Sequence, residues 1–165
     1  MSTILGPLGL LPEISKSISA ELIAKLKYIE EYDLEIQKKI YVAKGRCPSV
    51  EANTLERELK RFLSLTLLEP QPKYESFVPS EVVDGLWHRF ILHTKDYREF
   101  CEKTAGHFID HNPEKQGRGA GLAKYSGELF GYTKELLTKY YGHLPPFVWG
   151  LSAKCDHGAP CITFG

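Results

Sequence analysis

No sign of charge dominates this sequence: 21 Lys and Arg stand against 21 Asp and Glu, a formal net charge of +0 over 165 residues. Nucleic-acid binders usually carry a basic excess, because counterion release at phosphates supplies most of their affinity, so no nucleic-acid partner is expected. There is no run of roughly twenty apolar residues of the kind a membrane-crossing helix needs, so no membrane span is expected either. The opening MSTILGPLGLLP is apolar, but it lacks a basic segment and is interrupted by glycine and proline, which makes a poor signal peptide. Cysteine is scarce. Without an export signal, Cys47, Cys101, Cys155 and Cys161 read as reduced thiols, and the expected location is cytoplasmic. Long β-type alternation and internal repeats are missing as well.

What is present is helical periodicity. The expected fold is all-α: one domain, a bundle of about five helices with an irregular C-terminal tail. Ile18, Leu22, Leu26, Ile29, Ile36 and Ile40 fall within about 80° of one another on a helical wheel, which predicts one long helix over 17–43. Asp33 interrupts that stripe and marks a bend. Gly45 and Pro48 end the element, and Ser49 is placed to cap a helix over 50–68 whose apolar face is Leu55, Leu59, Phe62 and Leu63. The charge run ERELKR within it reads as a solvated face. Ser80 is placed to cap a helix over 81–93, Thr94 another over 95–105 that Gly106 ends. The last helix spans 122–141, with Leu122, Tyr125, Leu129, Tyr132, Leu136 and Tyr140 on one side. Residues 142–165 are the tail.

The chemistry-bearing residues are concentrated. Residues 80–113 hold four of the six histidines, one of the two tryptophans and one of the four cysteines. Asp84 and His88, four apart on a helix, sit one turn above each other at the edge of an apolar face. A carboxylate there can fix an imidazole in one tautomer, or both can ligate a metal. His93 lies roughly 140° around from His88, so a single ion reaches both only if the chain turns near Thr94. Trp87 and Tyr97 read as core aromatics, and Cys101 as a buried inert thiol.

The run VDGLWHRFILHTKDYREFC followed by GHFIDHNP, with ERELKRFLSL ahead of it, resembles a family of largely uncharacterised proteins labelled glycine-rich domain-containing protein-like. The matching positions are Val83, Asp84, Trp87, His88, His93, Thr94, Tyr97, Cys101, Gly106, His111 and Pro113. The resemblance covers roughly residues 50–115 and implies no settled activity.

The tail adds CDHGAPC, which places Cys155, His157 and Cys161 within seven residues, all zinc-type ligand types. The expected metal set is therefore Asp84, His88, His93, His111, Cys155, His157 and Cys161, with zinc as the cofactor. Three protein ligands and a water would permit hydrolysis, and four would make the site structural. The alternative is a non-enzymatic interaction or inhibitor module in which the motif is structural. Such a module would bind a protein partner or self-associate through aromatics near YYGHLPPFVWG; equally, that segment could pack back on the bundle. A third reading joins Cys101, His88 and Asp84 as nucleophile, base and orienter.

Overall fold

The break in the first long helix is set by backbone carbonyls that need partners. In the computed structural model, which describes residues 4–74, 76–113, 120–150 and 162–164, a 3-10 turn at Pro7–Gly9 leads into α1 (Pro12–Ser15) and α2 (Ala20–Glu31). The chain then leaves helical geometry at Tyr32 and re-enters it as α3 (Glu35–Ala43). The predicted single helix over 17–43 is thus two helices. Asp33 Oδ1 accepts the backbone N–H of Glu35 at 2.9 Å, a local bond that competes with helix continuation. At the end of α2, the carbonyls of Glu30 and Tyr32 accept from Lys60 Nζ at 2.9 and 2.6 Å. The break also shifts the buried register. Leu34, Gln37 and Tyr41 face inward, whereas Ile36, which the stripe had placed inside, is 63% exposed.

Ser49 does not cap the next helix with its side chain. It opens a 3-10 turn, Ser49–Glu51, which leads into α4 (Ala52–Leu68). This helix lies at the centre of the fold, against α2, α3, the later helices α5 (Glu81–Leu92) and α7 (Ala120–Tyr141), and the N-terminal 3-10 turn. It has little wet face. The charge run read as solvated is largely buried: Glu58 is 0% exposed and Lys60 and Arg61 are each 6% exposed. The charges survive there because each is met. Glu58 receives Arg61 Nη1 at 3.0 Å, Arg57 Nε at 3.2 Å and Trp149 Nε1 at 2.9 Å. Arg61 Nε donates to the Leu8 carbonyl at 2.7 Å, and its guanidinium lies 4.8 Å from the centre of the Tyr141 ring. Gly9, at φ +80°, passes so close to Arg61 Nη2 that a β-carbon would collide with it.

Ser80 caps α5, its hydroxyl accepting from Val83 N at 3.4 Å. Thr94 is not a cap but the first residue of α6 (Thr94–Thr104). The turn falls on His93, at φ −85° and ψ 67°. Gly106 and Gly142 adopt positive φ where α6 and α7 end. The segment after α7 packs back on the bundle. It forms α8 (Pro146–Trp149), with Val148 and Trp149 buried and Phe147 against the core, so these aromatics are not the exposed contact surface that the sequence suggested. One short antiparallel ladder joins β1 (His111–Pro113) to β2 (Ile162–Phe164), pairing His111 with Phe164. The rest of the architecture is all-α and forms a single domain. Its core runs through Phe62, Trp87, Phe90, Tyr97 and Phe100, with Phe90 edge-on to both Tyr97 (5.0 Å) and Phe100 (5.1 Å).

Three outcomes follow from this burial. Replacing Glu58 by Gln leaves Arg61 buried with only partial compensation, and chemical denaturation should show a loss of about 3 kcal/mol or more. An unchanged midpoint would mean the pair is hydrated. Phe90→Ala should cost about 3–5 kcal/mol by the same measurement, and a loss under about 1 kcal/mol would contradict its place in the core. Burial pushes the Tyr41 and Tyr140 hydroxyls from the usual value near 10 up to about 12, and raises Tyr97 and Tyr141 as well. Between pH 10 and 12 the folded chain keeps protons that the unfolded chain has lost. Stability should therefore hold up to pH 10 and then fall by about 1.4 kcal/mol per pH unit for each such tyrosine. Tyrosinate absorbance rising fully near pH 10 without unfolding would contradict this.

Candidate functional site

The residues that gather around α5 come from two distant parts of the chain. Asp84 and His88 stand one turn apart on α5 because their spacing is four. His111 arrives from the loop after α6, and a relay of buried hydrogen bonds fixes that loop. Trp87 Nε1 donates to the Tyr97 hydroxyl at 3.1 Å, which donates to the Ile109 carbonyl at 2.6 Å. Ile109 is itself buried. Two residues later the His111 ring lies edge-on to Trp87, with centroids 4.2 Å apart, and its Nε2 lies 2.8 Å from Asp84 Oδ1. An ionised carboxylate only accepts, so Nε2 is the donor in this bond, and in the neutral tautomer that makes it Nδ1 has the lone pair. The His88 ring stands nearly perpendicular to the His111 ring, 5.7 Å away between centroids.

Asp84 is 1% exposed, whereas His88 is exposed. Beside them a cleft of about 360 Å³ opens between α5 and the end of α3, with Tyr41, Arg46 and Arg89 among its walls. The floor depends on Gly85. A β-carbon placed on Gly85 would overlap the Tyr41 hydroxyl and ring, the nearest ring carbon lying 2.8 Å from that β-carbon. Tyr41, Arg46 and Gly85 were not among the sequence candidates. A glycine inside a helix costs roughly 1 kcal/mol relative to alanine, and it is the one signal in the sequence of such a close approach.

The other candidates are dispersed. His93 forms the α5–α6 junction and is partly exposed. His107, which is not in the candidate set, is exposed, its Nδ1 lying 3.1 Å from the Phe108 carbonyl. Cys155, His157 and Cys161 lie outside the described residues. Among the described residues, no group of three or more His, Cys, Asp or Glu side chains is arranged to hold a metal ion. The thiol reading meets a direct objection. Burial pushes the Cys101 thiol up, against the pull of the Ile109 backbone and Tyr97, whereas a nucleophilic thiol needs the opposite shift.

No helix among the described residues is long and apolar enough to cross a membrane. No curated protein and no solved structure gives a significant match to the chain. A family model described as UCP032817-like matches residues 24–120, more than half of the chain, and its span takes in the break between α2 and α3, all of α4 to α6, and His111. The chain belongs to the UCP032817-like family.

Proposed function

We propose that Asp84, His88 and His111 form a metal site of zinc type, with the two imidazoles as ligands and Asp84 as the carboxylate that orients His111. The observation that carries this reading is the bond from His111 Nε2 to Asp84 Oδ1 beside the His88 ring. Metal-ligating histidines commonly donate their other ring N–H to a carboxylate, which fixes the tautomer and raises the basicity of the ligating nitrogen. Two imidazoles bound to one zinc at tetrahedral angles have ring centroids about 5 Å apart, close to the 5.7 Å found here. Two ligands do not complete a zinc shell. Cys155, His157 and Cys161, which lie outside the described residues, and water are the candidates for the remaining positions. A shell with one open position supports hydrolysis, and a closed one supplies stability.

A second reading rests on the near-complete burial of Asp84 and the packing of His111 on Trp87. Here the pair is a clamp that holds the loop after α6 on α5. The protein is then a non-enzymatic module that acts through a partner or through self-association.

The two readings part on their response to chelator. If the site is a metal site, protein purified without a metal-affinity tag should take up zinc, and His88→Gln and His111→Gln should each lower the bound metal. Chelator should lower the melting temperature of the unsubstituted protein and leave both variants nearly unchanged. If the pair is a clamp, chelator should do nothing, yet His111→Gln should still cost about 1–3 kcal/mol by leaving a buried carboxylate short of a donor. A protein that binds no zinc at neutral pH and melts identically with and without chelator would remove the metal reading.

A further inference from the structure

The cleft between α5 and the end of α3 has a chemistry of its own. Arg46, just after α3, and Arg89, on α5, both line it, and neither has an ion-pair partner among the described residues. Two carboxylates line it as well: Asp84, which accepts from His111, and Glu81, exposed in the first turn of α5. Unlike Arg46 and Arg89, Arg57 and Arg61 share a carboxylate, Glu58. Tyr41 places its hydroxyl against Gly85, and burial keeps that hydroxyl protonated to about pH 12, so it remains a donor. His88 adds an exposed imidazole on the same wall, and Leu92, 59% exposed, supplies an apolar edge.

We infer that this cleft binds a small organic molecule through an oxyanion group, a phosphate or a carboxylate, held by the guanidinium groups of Arg46 and Arg89. Guanidinium offers a planar fork of donors that matches either oxyanion in a bidentate way. The volume, about 360 Å³, falls at the lower end of small-molecule sites. Leu92 at its edge provides for a carbon-bearing ligand rather than a bare inorganic ion. The inference shares His88 and Asp84 with the metal reading and does not depend on it.

The test is calorimetric titration at constant ionic strength with phenyl phosphate and with phenylacetate, on metal-free and on zinc-saturated protein. At least one probe should bind saturably, and the preferred probe identifies the oxyanion. Arg46→Gln and Arg89→Gln should each weaken that binding by more than tenfold while circular dichroism and zinc uptake stay unchanged. Binding by metal-free protein upholds the inference whether or not zinc is taken up, so its failure and that of the metal reading are separable. If neither probe binds saturably to either form, or if both arginine variants bind like the unsubstituted protein, the inference is overturned.

Discussion

Glu58 and Arg61 lie one turn apart at the centre of α4, Glu58 fully buried and Arg61 nearly so. Desolvating each ion costs several kcal/mol, and their mutual attraction repays this only when every remaining donor and acceptor is also met. The surrounding structure meets that condition from both directions along the chain. The Leu8 carbonyl comes from the N-terminal turn, the Trp149 indole from α8, and the Tyr141 ring from the end of α7. Tyr141 in turn shares a 2.6 Å hydrogen bond with Ser64, one turn along α4. The pair therefore fixes where three peripheral segments must sit. Apolar packing alone, which is non-directional, would have left those positions loosely specified.

The same logic separates what was legible in the sequence from what was not. Helix α5 was legible, because Ser80, the apolar positions and the acid–imidazole spacing all act locally. The positive-φ glycine at Gly106 was legible for the same reason. ERELKR was misread because a charge run carries no sign of being surrounded. Its burial depends on partners up to 91 residues away, which periodicity does not register. The break after Glu31 was half visible: Asp33 flagged it, but the lysine that satisfies the freed carbonyls lies on another helix. At the candidate site, Asp84 and His88 were marked by their spacing. Tyr41 and Arg46 were not, because they belong to the cleft only through the packing of α3 on α5.

The motif residues of α5 and α6 divide between two tasks. Trp87 and Tyr97 form a relay that ends on the Ile109 carbonyl and anchors the following loop. Asp84 and His88 then receive what that loop delivers, the His111 ring. A scaffold and a site built from interleaved positions on the same helices are difficult to tell apart by substitution, since loosening the relay also displaces the imidazole. This is why response to an added ligand is more informative here than loss of stability.

The distance along the chain between Glu58 and Trp149 also bears on how the protein is made. The chain leaves the ribosome N-terminus first, so α4 emerges long before the indole that its carboxylate accepts from, 91 residues later. Until then Glu58 is better placed in water than in an enclosed core, and α4 has reason to stay open on that side. The N-terminal turn and the helices up to α6 can associate early, but closure around α4 waits for α8. Completing the fold is thereby coupled to the synthesis of α8, and a product that stops short of it would carry a buried-type acid with no indole to meet it.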